Sequence, residues 1–162
     1  MVISKSPFRI SFFGGSTDYE EWFTKNGGAF ISLAFQKYSY SVVKILPKNS
    51  KKKFHVQWRI KEATNTIDNI KQPIVRESLR YYKLFENLEF IYFADLPARS
   101  GIGSSSAYCC AVGNCLMNLK KIKFDKYKLA ENSYNIEYNF LKESVGIQDQ
   151  IASSFGNLNY VK

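Results

Sequence analysis

A strand that runs into a glycine turn and out into a helix of small residues is the feature that most constrains this chain. Leu88 to Phe93 is a dense apolar run closed by Asp95-Leu96-Pro97. Arg99-Ser100-Gly101-Ile102-Gly103 follows as a glycine-rich turn, and Ser104 to Leu119 reads as a helix. Gly101 and Gly103 open backbone conformations closed to other residues and let an anion approach closely. The serines then place hydroxyls at the first turn of a helix, where unpaired N–H groups and partial positive charge favour anions. Ser104 and Ser105 also offer the oxygen ligands that Mg²⁺ prefers. The segment is not a Walker A loop, because no Gly-Lys-Ser/Thr follows and no lysine lies between Asp95 and Leu119. A serine-capped glycine turn has the same composition. Composition alone therefore leaves both readings open.

The rest of the chain supplies the sheet and further helices. Phe8 to Phe13 reads as a strand ending on Gly14-Gly15. Ala29 to Phe35 and Tyr38 to Leu46 are strand-like runs with little between them, which predicts a hairpin. Phe54 to Ile60 alternates apolar and polar residues, the pattern of a half-buried strand. Pro73 to Leu84 is an expected helix with Pro73 near its first turn. Lys126 to Lys142 is another, and Gly146 to Ile151 an expected short turn carrying an acid. Strands first, then strand, loop, helix and helix, give the α+β class: a mixed sheet with helices packed on one face. At 162 residues and 45% hydrophobic, one domain over residues 1–162 is expected.

The net charge of +9 admits nucleic acid, an anionic membrane or phosphorylated small molecules as partners. Lys51-Lys52-Lys53 lies beside Pro47 and Asn49 and reads as a solvated loop tip. Most of the aromatics alternate within strand-like runs, which favours core packing over a platform for stacking bases. No run of about 18 apolar residues is present, so no membrane span is expected. The first residues lack a secretory pattern, and the expected compartment is the cytoplasm. Cys109, Cys110 and Cys115 share one apolar stretch far from the single histidine, His55. Zinc wants ligands paired at short spacings, so these thiols read as buried small residues.

Two acids follow the glycine turn. At 100° per residue, and with Glu137 as zero, Ala130 lies near about +20°, Ser133 near about −40°, Phe140 near about −60° and Leu141 near about +40°. Glu137 thus falls within an apolar stripe. A carboxylate there is costly unless it is paired or bound to metal, though a stripe-edge glutamate reaching water or a lysine fits the same wheel. Asp149 comes twelve residues later, in Gly146-Ile147-Gln148-Asp149-Gln150. By position alone it reads as a helix cap.

Pro97-Ala98-Arg99-Ser100-Gly101-Ile102-Gly103-Ser104-Ser105-Ser106-Ala107 resembles the P-x-x-x-G-L-G-S-S-A/S-A motif of the GHMP kinases, which include galactokinase, homoserine kinase, mevalonate kinase and phosphomevalonate kinase. Ile102 for leucine is the one conservative change. In that family the loop wraps the phosphates of ATP, which implies ATP contacts for Gly101, Gly103, Ser104, Ser105 and Ser106. The G-x-x-D-Q turn of galactokinase-like members carries a catalytic aspartate, with a metal-binding glutamate the same distance before it. The resemblance thus implies Asp149 as the base, and Glu137 with Ser104 as ligands of Mg²⁺.

Ser6-Pro7-Phe8-Arg9-Ile10-Ser11-Phe12-Phe13-Gly14-Gly15-Ser16-Thr17-Asp18-Tyr19 resembles the family's first motif. This implies that Arg9 lies near the catalytic aspartate and the transferring phosphate. It also implies that Asp18, with Gly14 and Gly15, binds the sugar. Read from residues alone, Arg9 is a solvated or an inward strand residue, and Asp18 a cap before Glu20-Glu21-Trp22-Phe23. Gly15-Ser16 stands where galactokinases have Glu-His. The form R-I-S-F-x-G-G-x-T-D, with Phe155 to Asn159 reading F-G-N-L-N, is instead similar to the heptose 7-phosphate kinases. The implied reaction is ATP-dependent formation of heptose 1,7-bisphosphate for activated heptose and surface polysaccharide, with another sugar 1-kinase of fucose or galactose type as the alternative. A basic nucleic-acid-binding domain of related, ribosomal-protein-like fold is a less favoured reading.

The resemblance runs over nearly the whole chain, yet family members are roughly twice as long. The expected C-terminal domain, with its third glycine-rich motif, has no counterpart in this sequence. A cleft with one wall is expected to bind nucleotide weakly and catalyse poorly.

Overall fold

The computed structural model describes residues 1–98 and 100–162; Arg99, part of the glycine-rich segment, lies outside the described residues. Six strands make one mixed sheet: β1 (Val2–Phe13), β2 (Phe30–Ile45), β3 (Phe54–Gln57), β4 (Lys61–Thr64), β5 (Leu88–Ala94) and β6 (Leu158–Val161). Their order is β1-β2-β5-β3-β4, with β6 pairing the first part of β2. Every pair is antiparallel except β3 with β5. The helices are α1 (Glu20–Asn26), α2 (Pro73–Tyr81), α3 (Ser104–Leu119), α4 (Lys126–Asn135) and α5 (Gln148–Phe155). The α+β architecture is the one expected.

The expected hairpin between Phe35 and Tyr38 is a single long strand instead. Along β1, Pro7 faces Tyr38 and the next residue, Phe8, faces Phe35. Gln36 and Lys37 therefore bulge out of the ladder without reversing the chain. No glycine, proline or asparagine stands there to turn it, and a bulge absorbs the extra residues. The outcome is useful to the fold, because β2 pairs β5 through Ser39–Ile45 and β6 through Phe30–Leu33. The strand expected to run to Ile60 stops at Gln57. A turn, in which the Trp58 N–H donates to the Ile60 carbonyl at 3.0 Å, leads into β4.

Helix α3 sits on the sheet through small residues on both sides. Ala107, Cys110, Ala111 and Cys115 are fully buried, as are Ser32, Ser39 and Ser41 of β2. Small side chains let helix and sheet approach closely, and Cys115 Sγ lies 3.4 Å from the Ser41 carbonyl. All three cysteines are buried free thiols. A larger apolar cluster, with Val43, Leu79, Leu88, Phe90, Leu116 and Ile136, fills the space between the sheet, α2 and α3. Lys51 to Lys53 form an exposed bend. Among the described residues no helix is long and apolar enough to cross a membrane.

The helix expected over Lys126 to Lys142 changes register part-way. It is α-helical to Asn135 and then makes a π turn over Ile136–Phe140, sealed by the Leu141 N–H donating to the Ile136 carbonyl at 2.9 Å. The wider turn shifts the phase of everything after it. Phe140, placed on the buried stripe by a regular wheel, is exposed and meets the edge of the Tyr81 ring. Ala130, Ser133 and Glu137 precede the full shift and are buried as the wheel predicts.

Candidate active site

Arg9 gathers the elements of the site. Its backbone N–H donates to the Ile102 carbonyl at 3.1 Å and its Nη1 to the Gly101 carbonyl at 2.7 Å. Its Nε donates to Asp149 Oδ1 at 2.7 Å. One residue of β1 thus straps the glycine turn to the first turn of α5. The alternation of β1 buries Ser4, Ser6 and Phe8 and sets Arg9 on the other face, where its pairing leaves the side chains of Arg9 and Asp149 only 15% and 25% exposed.

Gly103 is the contact point between loop and acid. Its φ is +71°, and a Cβ there would stand 3.1 Å from Asp149 Oδ2 and 3.3 Å from Arg9 Cγ. A side chain would have to adopt a disfavoured backbone and push into the ion pair. Glycine lets the turn close over Asp149, so the N-terminus of α3 begins beside the carboxylate. Burial pushes the Asp149 carboxyl up; Arg9 draws it back, and Asp18 raises it further.

Asp149 lies in a helix, not in the short turn expected. The cap of that helix is a distant residue. Asp18 Oδ2 accepts from the Gln148 N–H at 2.8 Å, a first-turn amide of α5 that no residue of the helix satisfies. The Thr17 hydroxyl pins the preceding loop, donating to the Gly14 carbonyl at 2.8 Å. Gly146 makes room: a Cβ there would fall 2.0 Å from Asp18 Oδ2. Gly146→Ala is expected to dislodge Asp18 and cost about 1–2 kcal/mol, the usual value of a helix cap. Thermal unfolding would show this as a fall of a few degrees, and an unchanged midpoint would mean that the Asp18 contact contributes nothing.

Glu137 is wholly buried. Its Oε2 accepts from Gln150 Nε2 at 2.6 Å, and the same nitrogen lies 3.2 Å from Ser106 Oγ. Its other oxygen, Oε1, has no hydrogen-bond partner among the described residues. Burial pushes the carboxyl up to about 7; the Gln150 amide and the Ser106 and Ser105 hydroxyls draw it back without closing a hydrogen bond to Oε1. An orphaned carboxylate oxygen beside serine hydroxyls is a hard-oxygen donor set. It suits Mg²⁺, which takes one or two protein carboxylates and completes its shell with phosphate oxygens and water. Glu137, with the Ser105 and Ser106 hydroxyls beside it, thus fits that ion by chemistry.

A cleft of about 460 Å³ opens over these groups, with Arg9, Gly15, Asp18, Gly101, Ser106 and Asp149 in its wall. Gly14 packs behind the wall against the Ala29 carbonyl. Of the residues marked by sequence, the structure brings Arg9, Asp18, Gly101, Gly103, Ser106 and Asp149 together, with Glu137 beneath. Sequence reading missed Gln150. Its signal lay out of reach while the segment read as a turn, because the burial of Gln150 beside Ile151 and Ala152 follows from the helix α5 that the structure shows there.

Residues 66–157 match the family model described as the N-terminal domain of GHMP kinases. The chain belongs to the GHMP kinase family. It is 23% identical, over 99% of its length, to the D-glycero-alpha-D-manno-heptose 7-phosphate kinase of Campylobacter jejuni, of which it covers 50%. It is 24% identical, over 98% of its length, to the galactokinase of Chloroflexus aggregans, of which it covers 42%. The chain spans about half the length of the curated relatives it matches. Its fold is also that of a D-glycero-D-manno-heptose 1-phosphate kinase from Bacteriodes thetaiotaomicron, with a TM-score of 0.88, 23% identity, and coverage of 99% of this chain and 55% of that one.

Proposed function

We propose that this chain is the ATP-phosphate-binding half of a sugar-phosphate kinase that acts on the anomeric hydroxyl of heptose 7-phosphate and yields heptose 1,7-bisphosphate. The observation that carries this reading is the closure of the glycine turn over Asp149, with Gly103 against the carboxylate. A phosphate held by the N–H groups at the start of α3 would lie next to a base.

The step balances without further reactants. Asp149 Oδ2 accepts the hydroxyl proton, the freed oxygen bonds to the γ-phosphorus, and the bond from that phosphorus to the bridging oxygen breaks to release ADP. Arg9 holds Oδ1, which leaves Oδ2 for the proton. Among the described residues its Nε and Nη1 are the nitrogens with hydrogen-bond partners, which leaves Nη2 to offset phosphate charge. Phosphoryl transfer is mostly positioning and electrostatics, and these are what Arg9, Asp149 and the loop provide. Glu137 and Ser104 would hold Mg²⁺, which when bound offsets charge on the phosphate oxygens.

The second wall of the cleft would come from a domain of the length that the relatives have and this chain does not match. An apolar surface supports that. Phe13, Ile31 and Tyr160 are cross-strand neighbours on β1, β2 and β6, as are Ile10, Leu33 and Leu158. Phe13, Tyr160 and Leu158 are each exposed, and Ile10 also reaches the cleft.

A second reading, a neutral sugar such as galactose as acceptor, is favoured by one observation. Among the described residues the charged side chains of the cleft wall are Arg9, Asp18 and Asp149, and Arg9 is already paired with Asp149. A 7-phosphate would need a cation from elsewhere. Phosphorus NMR with Mg²⁺-ATP separates the two readings. A new anomeric phosphate signal with D-glycero-D-manno-heptose 7-phosphate and none with galactose supports the first; the reverse moves the assignment to the second.

A further inference from the structure

Gln150 is a long polar side chain with no exposure at all. Burying an amide is costly unless its hydrogen bonds are made. Its Nε2 makes two contacts, to Glu137 Oε2 at 2.6 Å and Ser106 Oγ at 3.2 Å, while its carbonyl oxygen has no partner among the described residues. The side chain is therefore oriented for its donor end alone. Only that end can face an ionised carboxylate at such a distance, because a flipped amide would set oxygen against oxygen.

The contact decides which oxygen of Glu137 stays open. With Oε2 gripped from α5, Oε1 is the atom left without a partner, on a carboxylate already close to the Ser105 and Ser106 hydroxyls. Glu137 itself stands on the π turn, whose backbone is less regular than an α-helix. The contact with Gln150 ties that turn to a second helix, α5. That tether adjoins Asp149 in the chain, so the proton acceptor and the grip on Glu137 share one rigid segment, itself fixed to β1 by the Ser153 hydroxyl donating to the Pro7 carbonyl at 3.1 Å.

We propose that Gln150 is a positioning residue, which holds the Glu137 carboxylate through Nε2 so that Oε1 is presented to a divalent cation at the phosphate loop. The proposal rests on the kinase reading of the cleft. Gln150 touches neither nucleotide nor sugar and acts through Glu137.

The test is Mn²⁺ binding to this chain in the presence of a non-hydrolysable ATP analogue, followed by electron paramagnetic resonance. Gln150→Met keeps the side-chain length and removes the donor. Its Mn²⁺ dissociation constant is expected to rise roughly 10- to 100-fold, the usual effect of losing a group that orients a metal ligand. Affinity for the analogue without metal should stay within about twofold, which a general loosening of the fold would not allow. Unchanged Mn²⁺ affinity, or equal weakening with and without metal, overturns the proposal. A readout on the wild-type chain does not depend on the variant folding: the Gln150 side-chain NH₂ resonances should move when Mg²⁺ is added to the analogue complex, and a static pair overturns the proposal as well. A wild-type chain that binds no Mn²⁺ alongside the analogue overturns the kinase reading and this proposal together; an unaffected variant overturns the proposal alone.

Discussion

Asp149→Asn should lower the rate of phosphoryl transfer by about 10³-fold, within the range general-base groups contribute, and leave the nucleotide dissociation constant within about twofold. Asparagine has the shape of aspartate and lacks its charge. Its carbonyl oxygen can still accept from Arg9 Nε, the contact now made at 2.7 Å, so the strap from β1 to α5 survives. What disappears is the second carboxylate oxygen beside Gly103, the one free to take a proton. A rate reduced by less than about tenfold would remove Asp149 as the base and leave it a scaffold for Arg9. The pH profile gives an independent check. Burial raises the Asp149 carboxyl above its ordinary value, and a base must be ionised to work. The rate should therefore fall on the acid side at a higher pH than an exposed aspartate would give, and that limb should vanish from whatever activity the variant retains.

Two kinds of signal were legible in the sequence, and each worked as far as its physics is local. The glycine turn and the helix after it depend on residues adjacent in the chain, and α3 begins and ends where its residues indicate, at Ser104 and Leu119. The burial of Glu137 depends on helical phase, which holds from Lys126 until the π turn and fails at Phe140. Long-range pairing was not legible. Gln36 and Lys37 look like the tip of a hairpin because a two-residue gap between strand runs has the same length as a turn; only the partner strand reveals the bulge. Asp18 looks like the cap of the helix next to it, α1, and instead caps α5, a contact across 130 residues of chain. Arg9 and Asp149 are 140 residues apart. No periodicity encodes such pairs, and for Arg9 and Asp149 only the resemblance to a family brought them together.

The same geometry explains why the site carries strain of an electrostatic kind. Asp149 has Arg9 as counter-charge, whereas among the described residues Glu137 has hydrogen-bond donors and no cation beside it. Among the described residues no group of three or more histidine, cysteine, aspartate or glutamate side chains could hold an ion unaided. A magnesium ion would thus depend on phosphate oxygens for much of its shell, and in their absence Glu137 bears its burial without a cation.

Glu137→Gln should accordingly stabilise the fold far more at pH 8 than at pH 5. Burial raises the Glu137 carboxyl from 4.5 to about 7. Below the lower value both folded and unfolded chains hold the proton and nothing is lost. Between the two values the folded chain keeps a proton that the unfolded chain has released, so stability falls as pH rises. By pH 8 the loss is complete, at about 3 kcal/mol from about 1.4 kcal/mol per tenfold in proton affinity. Glutamine is neutral throughout, and its amide oxygen can accept from Gln150 as Oε2 does. The variant should melt roughly 6–12 °C above wild type at pH 8, from about 2–4 °C per kcal/mol in a domain of this size, and within about 3 °C at pH 5. Thermal unfolding at the two pH values measures this directly. A variant less stable than wild type at pH 8 would mean that the folded protein welcomes the charge, and would refute the desolvated carboxylate. Mg²⁺ with a non-hydrolysable ATP analogue should then narrow the gap at pH 8, because wild type gains a counter-charge at Oε1 that the glutamine variant cannot use. A gap that the metal leaves untouched would keep the buried acid and exclude it from the metal site.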